Sequence, residues 1–256
     1  MVLLALVLFV TIFLIYHLYW KRRNLPAEEK VLDVTKHFIK KIKADSANEH
    51  TNIVSHVNVC VASIINSILF SYDFNDERIA EFEILKKILE DQVQLFQSPQ
   101  LLMLIPYYKY VRHIPFLRRG FQQFFACQQT LFNFFRGQIK EHLANHDPDL
   151  DEEPRDFVGA FLKQMHKDEK EKVENSDFNM DQILSLVNDI WVAGQETTSV
   201  TVLFSVIYLI RNPKAQQKLH EELDHVIASD RLITTADRNN LTYTQAVINV
   251  SDFYNI

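Results

Sequence analysis

Glycine is rare in this chain, four in 256 residues, and prolines number only seven. Tight turns are therefore few, and a mostly helical body is favoured over a turn-rich β architecture. Cysteine is rarer still. Cys60 and Cys127 cannot make a disulfide framework, and their simplest reading is two reduced, buried thiols facing the cytosol. The chain has no Gly-rich phosphate loop, no Cys-x-x-Cys zinc pattern and no Gly-x-Ser-x-Gly nucleophile elbow. Positive charge is not in excess: the formal net charge is -6, which argues against a nucleic-acid partner. A di-iron bundle needs two Glu-x-x-His pairs and two further glutamates on facing helices. Glu222 with His225 gives one such pair, and His142 with His146 merely stand four apart, so that chemistry is set aside. Long strand-like alternation and internal repeats are missing too, and the class is all-α.

Residues 1–20 are almost wholly apolar, with His17 the main interruption. Length and hydrophobicity fit a membrane-spanning helix. Lys21, Arg22 and Arg23 follow at once. No basic residue precedes the run and no small-residue cleavage site closes it, which is the pattern of an uncleaved signal anchor. The alternative is a buried helix of a soluble protein. Under the positive-inside rule the Lys21 side, and the body with it, faces the cytosol. Tyr16, Tyr19 and Trp20 would sit at headgroup level. Residues 21–27 then form a basic flank and short linker, and 28–256 the helical domain.

From Glu28 to Ala44, Val31, Leu32, Val34, Phe38 and Ile42 form an apolar stripe. Lys36, Lys40, Lys41 and Lys43 hold much of the other face, either drawn to anionic headgroups or simply solvated. Further helices are expected over about 53–70, 77–96, 118–145 and 157–165. Residues 98–119 mix leucines, tyrosines and arginines, and read either as a segment dipping into the bilayer interface or as a loop tucked onto the core. Asp147 to Glu153 reads as an acidic linker, and Lys167 to Asp177 as a charged surface loop. Asn212 and Pro213 look like a cap and a first-turn proline. The helix after them should carry Leu219, Leu223, Val226 and Ile227 inward, with Lys218 and Glu222 outward. A loop at 230–241 leads to Thr242 and Gln245, a capping box opening a last helix.

The chain is organised around the run from Asn179 to Ile210. Asn179 can cap it, Gln182 sits at the third helical position, and Pro213 ends it. At 1.5 Å per residue this helix is roughly 48 Å long. It is apolar on nearly every side, so a central, buried helix is expected. Its middle differs: Ala193, Gly194, Gln195, Glu196, Thr197 and Thr198 place a helix-weakening glycine beside a carboxylate and two hydroxyls. The Thr197 hydroxyl can bond back to the Ala193 carbonyl and bend the helix. Such a gap suits the approach of a flat ligand and the delivery of protons to it. The plainer reading is a packing glycine against a crossing helix, with threonines satisfied by their own backbone.

The segment from Trp191 to Thr198 resembles the oxygen-groove helix of the cytochrome P-450 haem-thiolate monooxygenases. Asn212-Pro213, Glu221 to Asp224, Thr235 to Asp237 and Leu241 to Ile248 follow in that family's order. Tyr19 to Pro26 resembles the start of a microsomal animal member. The resemblance implies a haem, with Ala193 and Gly194 lying against it and leaving room for dioxygen. It implies Glu196 and Thr197 as the acid and alcohol that pass protons. It also implies a small lipophilic or xenobiotic substrate lined by the 98–110 region and Trp191, electrons from an NADPH-dependent reductase, and the endoplasmic reticulum membrane as location.

The departures are equally specific. Pro26 passes straight to Ala27 and Glu28, where the family has a proline-rich hinge, a small sheet and a haem-propionate tryptophan and arginine. The family's Glu-x-x-Arg should begin at Val250, and the Phe-x-x-Gly-x-Arg-x-Cys-x-Gly loop that supplies the iron thiolate is missing. That thiolate drives O–O cleavage. The expectation is therefore the helical part of the P-450 fold without its sheet region and cysteine loop: an inactive, shortened chain with one side of its central helix uncovered. The alternative is a non-catalytic, membrane-tethered helical interaction protein. Asn240-Leu241-Thr242 and Asn249-Val250-Ser251 are glycosylation acceptors whose use would place the body in the lumen instead.

Overall fold

A computed structural model describes residues 27–45, 52–74, 77–96, 104–111, 113–145, 153–228 and 231–253. The expected anchor at 1–20, its basic flank, residues 98–103 and nearly all of the acidic linker lie outside the described residues. Among the described residues nine α-helices follow in order: α1 (Ala27–Asp45), α2 (Ile53–Phe70), α3 (Ile79–Phe96), α4 (Tyr108–Val111), α5 (Pro115–Asn145), α6 (Phe157–Lys170), α7 (Met180–Arg211), α8 (Pro213–Ile227) and α9 (Thr242–Phe253). Short 3₁₀ turns occupy Ile105–Tyr107 and Thr235–Asn240, and no strand occurs among the described residues.

α2 is the hub, packing on α1, α6 and α7, while α5 packs on α3, α6 and α7. Their helical spacing fixes which faces meet. Leu131, Phe135 and Ile139 recur every four residues on α5 and are fully buried. They join Phe82, Leu85 and Leu89 of α3, Leu69 and Phe70 of α2, Phe161 and Leu162 of α6, and Ile183, Leu184, Val187 and Trp191 of α7 in one cluster. Each such side chain contributes about 1.5–3 kcal/mol on burial.

The ends of α7 follow the sequence. Asn179 accepts a hydrogen bond from the Gln182 amide at 3.0 Å. Burial does not follow the sequence along its whole length. The first part sinks into the core, but Val202, Phe204, Ile207 and Ile210 are exposed, Ile210 at 67 %. Among the described residues α8 and α9 pack near that end, and these exposed side chains lack apolar cover there.

Three other expectations change. α6 runs on to Lys170, into the stretch read as a loop, because its charges sit at helical spacing, with Lys167 3.9 Å from Glu171. Asn212 gives α8 no side-chain cap; its amide donates back to the Tyr208 carbonyl at 2.8 Å. Glu222 is not turned to solvent as a spectator. Its carboxylate accepts from the amides of Tyr243 and Thr244 at 2.7 and 2.8 Å and from the Thr244 hydroxyl at 2.7 Å. It caps α9 from another helix, while Gln245 donates to the Arg238 carbonyl instead of closing a box.

Glycine scarcity has a visible result. Every left-handed backbone position among the described residues is held by another residue: Ser71, Lys172, Asn175 and Ala228.

Candidate functional site

Positions 184, 187, 188, 191, 195 and 199 make a continuous buried stripe along α7. Trp191 has no exposed surface. Its indole N–H donates to Asn66 Oδ1 of α2 at 2.9 Å, and its ring lies 6.2 Å from both Phe74 and Phe135. This tryptophan is core, not the wall of an open substrate pocket as the resemblance suggested. One turn later, Gln195 is 5 % exposed. Its Nε2 donates to the Asn58 carbonyl at 3.1 Å and to Ser199 Oγ at 3.3 Å. Its Oε1 has no donor. Nothing in the spacing of Asn58 or Asn66 advertised these roles, since the bonds join residues more than a hundred positions apart.

Gly194 faces the same helix. A Cβ built there would stand 3.1 Å from Ile65 Cδ1. The missing side chain lets α7 and α2 close up at this point, as the plainer sequence reading had it. Ala193 is half-buried, and Thr197 and Glu196 are exposed. Ala193 and Thr197, four apart, share one side of the helix. The Thr197 hydroxyl donates to the Ala193 carbonyl at 2.6 Å, as the sequence predicts. Its hydrogen is thus committed inward and its lone pairs remain to accept from outside. Glu196 opens onto a cleft between α2, α3 and α7 lined also by Asn58, Phe82, Lys86 and Gln195.

The resemblance implies an axial thiolate for the haem iron, and neither cysteine is poised as one. Burial pushes the Cys60 thiol up to about 11. Burial, with the Asp91 carboxylate second, also raises Cys127, whose Sγ donates to the Ile88 carbonyl at 3.3 Å. Both are protonated thiols at neutral pH. No group of three or more His, Cys, Asp or Glu suited to a metal occurs among the described residues. The side of α7 carrying Ala193 and Thr197 offers a flat, small-residue wall, but the donor set does not fit an iron ligand.

A second polar cluster is structural. His142 Nε2 lies 3.2 Å from Asp156 Oδ1, and both side chains are almost fully buried. Asp156 caps α6 by accepting from the Gly159 amide at 2.7 Å. Burial pushes the Asp156 carboxyl up, but hydrogen bonds from His142 and Gly159 outweigh it and hold the group below its usual 3.8. Lys30 of α1 donates to the Ser67 carbonyl, Ser71 Oγ and the Arg155 carbonyl, each at 2.7 Å. His142 is therefore spent on a capping acid, and Glu222 on α9.

The family model for cytochrome P450 matches residues 13–249. This chain belongs to the cytochrome P450 family. Among curated relatives, cytochrome P450 2J3 of Rattus norvegicus is 31 % identical over 226 residues, covering 86 % of this P450 chain and 42 % of the relative. Cytochrome P450 2C3 of Oryctolagus cuniculus is 32 % identical over 196 residues, covering 74 % and 37 %. Cytochrome P450 2U1 of Bos taurus is 28 % identical over 225 residues, covering 88 % and 40 %. The chain spans about two fifths of the length of these relatives. The all-helical architecture agrees with the helical part of that fold, and the family implies a haem.

Proposed function

We propose that this chain carries the oxygen-side helical part of a haem-dependent monooxygenase for small lipophilic compounds. Its electrons would come from an NADPH-dependent reductase. It would be tethered at the endoplasmic reticulum membrane with its body in the cytosol, a placement supported by the basic flank after the apolar run at 1–20. The single observation behind the reading is the Ala193–Thr197 arrangement: a small-residue wall whose only hydroxyl has its hydrogen turned inward, beside an exposed carboxylate. Glu196 is the residue that can carry a proton from solvent. Thr197 Oγ1 is the acceptor that can hold it in place, its own hydrogen fixed on the Ala193 carbonyl.

These 256 residues by themselves do not complete that chemistry. Neither cysteine stands in the Phe-x-x-Gly-x-Arg-x-Cys-x-Gly surroundings that supply the iron thiolate. The experiment is to express the chain with excess haem and take the carbon-monoxide difference spectrum of the reduced material. No thiolate-type Soret band and no NADPH-dependent oxidation of a lipophilic probe are expected. Either signal overturns the claim of inactivity.

A second reading has its own observation. Val202, Phe204, Ile207 and Ile210 leave one end of α7 bare and apolar, which suits a membrane-tethered interaction protein. Co-purification of one stoichiometric partner, lost on changing Phe204 and Ile207 to serine, would favour it.

A further inference from the structure

The corner where α7 meets α8 combines two features that the fold leaves without a role. The first is apolar surface. α7 holds an 18-residue window apolar enough to cross a membrane, yet only 17 % of that window is buried, against 50 % for the window of α2. The exposure is concentrated at the distal end, where Phe204, Ile207 and Ile210 are 39, 45 and 67 % exposed. Phe204, Ile207 and Arg211 recur at helical spacing and share one side, with Ile210 beside them. The second feature is charge. The chain carries a net charge of -6, but residues 197–220 contain no Asp or Glu and hold Arg211, Lys214 and Lys218. Arg211 and Lys214 are exposed and form no ion pair among the described residues.

Size and sign together decide what lies there. A few apolar side chains at one corner are little beside the about 20–30 residues that a stable protein interface takes from each partner. Contact with a bilayer surface needs less: a small apolar face entering the headgroup region, rimmed by Lys and Arg. α7 does not span a bilayer itself, since it packs on α2, α5, α8 and α9. We propose that this corner rests on an anionic bilayer surface. Phe204, Ile207 and Ile210 enter the headgroup region, and Arg211 and Lys214 meet the anionic groups of the lipids. A net acidic chain is repelled by such a surface as a whole, and this acid-free stretch turns the local sign. The contact rests on the reading that residues 1–20 hold the chain at a membrane. It adds a second point of attachment, which orients the body.

The test uses the full chain in nanodiscs made with brominated lipids, which quench tryptophan only at short range. In a Trp20→Phe background Trp191 stays in the core and its signal is subtracted, while Ile210→Trp places a reporter at the corner. Val173→Trp is the control, another exposed apolar position but one set among Glu169, Glu171 and Glu174. With phosphatidylserine mixed into phosphatidylcholine, Ile210→Trp should be quenched at least twice as strongly as Val173→Trp. Omitting phosphatidylserine, or adding Arg211→Gln with Lys214→Gln, should remove at least half of that quenching. Quenching at position 210 no stronger than at 173 overturns the proposal and leaves the corner to a protein partner. Quenching indifferent to both phosphatidylserine and the paired change, in a protein of unchanged helicity, overturns it as well. Retention in the disc reads the anchor separately: a chain retained but unquenched at 210 keeps the anchor and loses the corner. A chain that is not retained is mixed with vesicles of the same brominated, phosphatidylserine-containing lipids, and absence of quenching there overturns the proposal.

Discussion

Replacing Asp156 with alanine is expected to destabilise the chain by about 2–4 kcal/mol, a lost helix cap together with a buried polar group left without its acceptor. Two losses combine. The amide of Gly159 loses its cap acceptor, worth about 1 kcal/mol. His142, 5 % exposed and 3.2 Å away, loses the carboxylate that faces it, and Lys30 loses a nearby countercharge. Asp156→Asn keeps the acceptor and drops only the charge, so it should cost less than alanine. Trp191 fluorescence during urea unfolding, in a Trp20→Phe background, reads both variants from the centre of the core. The pH dependence has a definite sign. The folded-state carboxyl is held below its usual 3.8, so its contribution is complete above that value and is lost as pH falls through the folded-state value. The gap between wild type and Asp156→Ala should be constant near neutrality and shrink below about pH 4. A gap under about 1 kcal/mol, no larger than an ordinary substitution, would refute the reasoning. So would a gap that widens in acid.

Three further outcomes follow from the same contacts. Gly194→Val should cost about 1–3 kcal/mol by overpacking against Ile65, and the double change with Ile65→Ala should recover much of it, read by thermal melting. Glu222→Ala should raise the hydrogen-exchange rates of the Tyr243 and Thr244 amides about tenfold, the equivalent of one helix cap, without disturbing α2 or α5. At neutral pH Cys60 should react with iodoacetamide far more slowly than free cysteine, and its rate should climb until pH approaches about 11. Mass spectrometry of the alkylated peptide measures it.

What could be read from the sequence was what depends on neighbours along the chain. The Asn179 cap, the helix expected over about 118–145 and the Thr197 back-bond are all local, and each is found where expected. What escaped depends on distant partners. Lys30 lies on an amphipathic helix, and only the fold brings it to Ser67, Ser71 and Arg155. Glu222 looked like an outward residue because helical spacing carries no information about the open end of α9. Trp191 was placed beside a substrate by family likeness, whereas the structure buries it against Phe74, Phe135 and Asn66. At the distal end of α7 the composition and the expectation of an uncovered side pointed different ways, and the exposed Val202, Phe204, Ile207 and Ile210 agree with the second. Its composition says buried, but burial requires something to lie against, and α8 and α9 reach only part of it. At the candidate site, the residue types were legible, while the facing of Gly194 toward Ile65 and the bare oxygen of Gln195 were not.

The turn after α8 shows where this molecule holds tolerance in reserve. Ala228 closes that helix at φ 47°, a geometry that crowds any Cβ against the next carbonyl. A methyl group in that corner is a small standing debt of about 1 kcal/mol, which glycine would cancel.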